Sequence, residues 1–205
     1  MTPVQKEYAR LARHYDERWL FYVRATTCAT AARLDLKPGD KVLDVGCGTG
    51  ALLCQLSGDC PRMSFAGVDP SPEMLAVARQ RLPETVELKE GWAERIPFGD
   101  SVFDVVVCCN VFHYIRQPLA AIADMLRVLK PAGRLVITDW CDDYLACRLC
   151  DLYLKIFNDA HYRVYGKNEC LSLLKQTAVR DPSVERYKIN WLWGLMTARA
   201  TKAGA

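Results

Sequence analysis

Ten residues, Lys41-Val42-Leu43-Asp44-Val45-Gly46-Cys47-Gly48-Thr49-Gly50, limit the possible folds more than any other part of this chain. An apolar run is followed by an acid near its end, then by glycines at every second position. Glycine lacks a Cβ, so such a turn reaches positive φ and lets a ligand lie against bare backbone. Ala51 to Leu56 has helical character, so the turn feeds a helix whose first N–H groups have no partner within the helix. Strand, glycine turn and helix N-terminus together make a nucleotide-binding corner.

The rest of the chain repeats the pattern. Val42–Val45, Met63–Val68, Val86–Lys89, Phe103–Cys109 and Leu135–Thr138 read as strands. Between them, helices are expected from Ala51, from Pro72 (a proline suited to a first helical turn) and over Leu119–Leu129, the last closed by Lys130-Pro131-Ala132-Gly133. Phe103–Cys109 is apolar throughout, as in a strand buried on both faces. Residues 4–34 have helical spacing. Tyr144–Phe157 and Lys167–Gln176 read as helices, and Val184–Asn190 with Leu192–Arg199 as a strand pair around Trp191. The expected fold is α/β and Rossmann-like: a seven-stranded, mostly parallel sheet with helices on both faces, a C-terminal antiparallel hairpin and an N-terminal helical lid. No repeat or linker divides the 205 residues, so one domain is expected. Its parts are a lid at 1–37, a cofactor-binding core at 38–140, and helices with the closing strand pair at 141–205.

Composition narrows the function. Hydrophobic residues make up 51% and charged residues 25%, with a net charge of +3. That is ordinary for a globular enzyme, and the chain lacks the basic stripe of a nucleic-acid binder. No apolar run is long enough to span a membrane and no secretory signal is visible, so a cytoplasmic location is expected. The ten cysteines fall mostly in apolar periodic segments and read as buried reduced thiols. Cys147-x-x-Cys150, with Cys141 nearby, lacks a second pair for zinc, so no metal is expected.

The glycine loop alone also satisfies the looser dinucleotide pattern, with Asp69 placed where an NAD(P) oxidoreductase holds ribose. Asp44 argues the other way. A carboxylate two residues before the first glycine suits a cationic cofactor and repels a pyrophosphate.

Val42 to Gly50 resembles motif I of the class I S-adenosylmethionine-dependent methyltransferases. Gly67-Val68-Asp69-Pro70-Ser71-Pro72-Glu73-Met74-Leu75, Gly91-Trp92-Ala93-Glu94 with Ile96-Pro97-Phe98, Phe103-Asp104-Val105-Val106, and Arg127 to Leu135 resemble the later motifs in order. Within that family the chain is most similar to the small-molecule branch that includes the quinone-biosynthesis type. The resemblance implies S-adenosyl-L-methionine as cofactor. It places Asp44, Gly46, Cys47, Gly48, Gly50, Asp69, Pro70, Met74, Trp92, Ala93 and Asn110 around it, with Asp44 toward the methionine ammonium, Asp69 on the ribose hydroxyls and Met74 on the adenine face. Trp92 departs from the small acidic pattern usual there.

The acceptor is expected between the N-terminal helices and the ends of the fourth and fifth strands. Tyr15, Tyr22, His113, Tyr114, Asp139 and Trp140 are the lining candidates, and their aromatic content suggests a partly apolar or aromatic small molecule. His113, a group that titrates near neutrality, is the candidate general base, with Tyr15 beside it. No Asn/Asp-Pro-Pro-aromatic motif follows the fourth strand, which disfavours methylation of nucleic-acid bases. A binding or scaffold role without catalysis, and methylation of a thiophilic metalloid at the cysteines, are the alternatives. The oligomeric state is open.

Overall fold

Strands β1 (Lys41–Val45), β2 (Ser64–Asp69), β3 (Glu87–Glu90), β4 (Phe103–Cys109), β5 (Leu129–Trp140), β6 (Val179–Lys188) and β7 (Gly194–Lys202) form one sheet. Its order is β3-β2-β1-β4-β5-β7-β6. The structure, a computed structural model, describes residues 1–12, 19–60 and 62–204. The first five strands pair in parallel, and β7 runs antiparallel to both β5 and β6. The order reverses between β1 and β4, and a crevice opens at the strand C-termini at such a switch point. The helices are α1 (Pro3–Leu11), α2 (Leu20–Ala31), α3 (Ala51–Asp59), α4 (Pro72–Arg81), α5 (Pro118–Val128), α6 (Leu145–Phe157) and α7 (Lys167–Lys175).

Alternation along the strands builds two cores. Val42, Val105, Val107 and Val136 meet Leu52, Leu53, Leu56, Leu75 and Ala78 from α3 and α4 on one face. Leu43, Val106, Leu135 and Ile137 meet Ile122, Met125 and Leu174 from α5 and α7 on the other. Successive side chains of a strand point to opposite faces, so a strand covered on both sides is apolar at every position. Arg127 fixes the crossing into β4: its guanidinium donates to the carbonyls of Ile96 and Phe98 and to Asp100 and Asp124.

Three boundaries depart from the sequence expectation. The helical reading of 4–34 divides into α1 and α2, with 13–18 outside the described residues. The expected turn at Lys130–Gly133 lies within β5, which starts at Leu129 opposite Phe103 and shifts register before Arg134. Ala132, at φ 61°, sits in this irregular stretch. A proline and a glycine can enter a strand at a bulge, where the ladder is already broken. The terminal strands are also longer than expected. β6 begins at Val179 because Arg180 to Ser183, polar and with Pro182 among them, form part of an edge strand that has no apolar signature.

Candidate active site

The strand C-termini, the glycine loop and α1 enclose a cavity of about 360 Å³. Gly46, Gly48 and Gly50 all hold positive φ, at 76°, 53° and 78°. At Gly46 a Cβ would collide with Val111 (2.5 Å), whereas at Gly48 it would stand in open space. Gly48 therefore presents bare backbone to the cavity. The loop is pinned beneath β2, with the Gly46 and Cys47 amides donating to the Val68 carbonyl at 2.7 and 3.0 Å.

Two carboxylates border this space. Asp69 closes β2 and accepts from the Gly48 amide at 2.9 Å and from the Ser71 amide at 2.8 Å, one bond on each oxygen. Each oxygen keeps a second acceptor site. Burial pushes its pKa up to about 6, against the pull of those two amides. Asp44, at the end of β1, is only 2% exposed, and its Oδ1 has no hydrogen-bond partner among the described residues. Burial, with the Asp69 charge adding to it, pushes Asp44 up to about 8. A buried carboxylate without a cation or donor is costly. The site is therefore short of positive charge.

This donor set fits the group that the sequence resemblance implies. A nucleoside carrying an ammonium and a sulfonium supplies the missing charge, hydroxyls for the spare lone pairs of Asp69, and a flat ring for Met74. Pro70, Met74, Trp92, Ala93, Cys47 and Asn110 all border the same cavity.

The N-terminal helix closes the space from above, through residues that sequence reasoning missed. Thr2, Pro3, Val4 and Tyr8 line the cavity. Gln5 donates to the Pro70 carbonyl at 2.9 Å, and the Tyr8 ring meets Tyr114 edge-on at 5.6 Å. The capping box Thr2-x-x-Gln5 was the legible signal for this helix start.

On the acceptor side the structure corrects the expectation. Tyr114 lines the cavity, but Tyr22, His113, Asp139 and Trp140 do not. Tyr15 lies outside the described residues. The short 3-10 turn Phe112–Tyr114 directs His113 into the protein, where its Nδ1 lies 2.7 Å from Asp139 Oδ1 and its ring stacks on Trp140. Asp139 also accepts from the His113 and Trp140 amides. His113 is 3% exposed and forms part of a buried bracket rather than a base facing the cavity. Tyr22 acts from behind the wall. Its hydroxyl donates to Asn110 Oδ1 at 2.7 Å and accepts from Trp140 Nε1, and Asn110 Nδ2 donates to Thr26 at 2.8 Å. Asn110, at φ 60°, is thus held in a conformation that asparagine tolerates better than most residues.

The cysteines are free, and Cys147 donates to the Gly194 carbonyl. Burial raises the Cys141 thiol to about 12. Among the described residues no three His, Cys, Asp or Glu side chains gather as a metal site. Nor is any helix among them long and apolar enough to cross a membrane.

Comparison with known proteins agrees with this geometry. Residues 43–137 match the family described as "Methyltransferase domain". The chain is 34% identical over 144 residues to the demethylmenaquinone methyltransferase of Deinococcus radiodurans, a match covering 67% of this chain and 60% of that protein. The chain therefore spans less than two thirds of this relative's length. Among solved structures, a chain of the Haloferax volcanii complex containing the Trm112 methyltransferase activator superposes with a TM-score of 0.84 at 19% identity, covering 98% of both chains. Phosphoethanolamine N-methyltransferase 2 of Haemonchus contortus, solved with S-adenosyl-L-methionine, gives 0.73 at 19% identity, over 86% of this chain and 52% of that one. The two structural likenesses establish the fold. Residues 43–137 carry the methyltransferase-domain pattern on that fold.

Proposed function

We propose that this protein transfers a methyl group from S-adenosyl-L-methionine to a small, partly apolar or aromatic acceptor. The observation that carries this reading is the unpartnered, buried Asp44 carboxylate beside Asp69 and the open Gly48 backbone. In this reading Asp44 would take the ammonium charge and Asp69 the ribose hydroxyls. Met74 and the Trp92–Ala93 segment would flank the adenine, with the glycine loop along the methionine and ribose. When bound, the cofactor supplies an electrophilic methyl on a sulfonium.

The protein's own contribution is alignment and exclusion of water. In-line orientation of an already activated donor provides a large part of the barrier reduction. Val4, Tyr8, Tyr114 and Ile115, which line the cavity, support an apolar or aromatic acceptor. Ten free thiols suit a reducing, cytoplasmic compartment.

Incubation with methyl-labelled S-adenosylmethionine and a panel of small phenols, quinols, thiols and amines tests the reading. Label should pass to at least one apolar or aromatic member, with S-adenosylhomocysteine formed in equal amount. Cofactor binding without transfer to any of them would favour the scaffold alternative.

A further inference from the structure

Asp151 and His161 form a buried pair that the methyl-transfer reading leaves unused. Asp151, on the inner side of α6, accepts from the Val164 amide at 2.8 Å, and the Lys155 ammonium stands 2.6 Å from its other oxygen. Against the push of burial, Lys155, His161 and Val164 hold its carboxyl below the ordinary carboxylate range. An ionised carboxylate only accepts, so the 2.8 Å contact to His161 Nε2 fixes the ring proton on that nitrogen. Nδ1 is then a bare lone pair. The His161 side chain is fully buried, and Nδ1 has no hydrogen-bond partner among the described residues. A buried acceptor left without a donor is costly and rare in a native fold.

The ring stands behind the cavity wall. Tyr114, which lines the cavity, meets the His161 ring edge-on at 6.3 Å, and the His113 ring lies 4.0 Å from Tyr114 and 5.5 Å from His161. Backbone ties run the same way. The Tyr162 and Arg163 amides, just after His161, both donate to the His113 carbonyl at 3.1 Å. Before it, Asp159 borders the cavity and Asn158 donates to Glu7 on α1 at 3.0 Å. His161 thus anchors the 158–163 segment that backs Tyr114. The titratable and charged groups around the ring are Asp151 and Lys155 from α6, His113 and Tyr114 from the 3-10 turn, and Asp139 from β5. On its own segment, Arg163 is held by Glu169. None of these is bonded to Nδ1. Burial lowers the pKa of His161 below the ordinary 6.5, with the Asp151 bond pulling it up and His113 pushing it down.

We propose that His161 is a positioning residue for the acceptor side of the cavity, seating Tyr114 only while its Nδ1 is bare. A proton on Nδ1 adds a buried charge with no acceptor, so the 158–163 segment releases the His113 carbonyl and Tyr114 loses its backing. Stability from this group is full above pH 6.5 and declines as pH drops below it, toward the lower folded value. Naming this the acceptor side rests on the methyl-transfer reading. The seating of Tyr114 does not.

Histidine 15N spectra and amide hydrogen exchange of the full chain test the proposal without a transfer assay. At about pH 7.5, His161 should be the neutral Nε2–H tautomer. As pH falls through the His161 midpoint, Tyr162 and Arg163 amide exchange, corrected for its intrinsic pH dependence, should speed more than about tenfold. The Tyr114 ring should lose its cross-relaxation with His161 over the same range. In H161Q, whose amide still donates to Asp151, neither readout should change with pH, and affinity for S-adenosylhomocysteine should stay within about threefold of wild type. Wild type that fails to bind S-adenosylhomocysteine yet shows the pH response would sink the methyl-transfer reading alone. A proton on Nδ1 at neutral pH, a His161 still neutral at about pH 4, or Tyr162 and Arg163 amides indifferent to the His161 midpoint would overturn the proposal. Each of these is read in the wild type, whether or not H161Q folds.

Discussion

Two sets of buried carboxylates stand at the same end of the sheet, and they differ in one respect. Asp139 and Asp151 are paired within the protein: Asp139 with His113 and two amides, Asp151 with His161, Lys155 and an amide. Their neighbours answer the cost of burial, and the pKa of Asp151 is lowered. Among the described residues Asp44 has no such answer, and Asp69 is met by two backbone amides, that of Gly48 in the glycine loop and that of Ser71 beside it. A satisfied carboxylate holds the fold together. An unsatisfied one at a cavity is kept for a ligand.

The largest expected effect is at Asp69. Asp69→Ala removes the brace on the Gly48 and Ser71 amides together with the acceptor for hydroxyls. Affinity for S-adenosylhomocysteine by calorimetry should fall by about 10²-fold or more, the scale of losing a buried charged hydrogen-bonding partner. On the paired side, Asp139→Ala strands His113 and two amides. It should cost about 3 kcal/mol in denaturant unfolding, while ligand affinity changes by less than about threefold, within the scatter for a residue that does not touch the ligand. A hundredfold loss of affinity in Asp139→Ala would erase the contrast.

Asp44→Asn sharpens it through pH. The native pKa of about 8 lies above the ordinary carboxylate value of 3.8, so the folded protein holds the extra proton between them. Stability from this group therefore declines as pH rises from about 4 to about 8. Asp44→Asn should melt several degrees higher than wild type at pH 8, and the two should converge near pH 4. Smaller still is Gly48→Ala. Positive φ costs the alanine about 1 kcal/mol and no clash adds to it, yet its methyl enters the cavity side of the loop, so binding should weaken more than folding. Gly46→Ala should do the reverse, because Val111 occupies the space its Cβ needs. Tyr22→Phe is the mildest, about 1 kcal/mol for the lost bonds to Asn110 and Trp140.

The same division separates what was legible in the sequence from what was not. β1 to β4, the glycine turn and the acids at strand ends follow from apolar periodicity and turn chemistry, which act over a few residues. The acceptor side depends on where a short turn points a ring. His113 sits next to Asn110 and Tyr114, both on the cavity, yet the Phe112–Tyr114 turn sends it to Asp139, 26 residues away. Nothing local to His113 encodes that. Likewise Trp140 and Tyr22 meet across 118 residues. The start of β6 was hidden because an edge strand needs no apolar alternation where one side faces solvent. The cover from α1 was half visible: the Thr2–Gln5 capping box announces the helix, but only packing tells that Gln5 reaches the Pro70 carbonyl.

The central claim is that Asp44 is held uncharged and unpartnered until a cationic ligand arrives, and proton counting measures it directly. Titration calorimetry with S-adenosylhomocysteine at pH 7, run in buffers of different ionisation enthalpy, should show release of about one proton per ligand bound. In Asp44→Asn the release should vanish and the affinity should fall. Tight binding with no proton release in the wild type, or undiminished affinity in Asp44→Asn, would contradict the account.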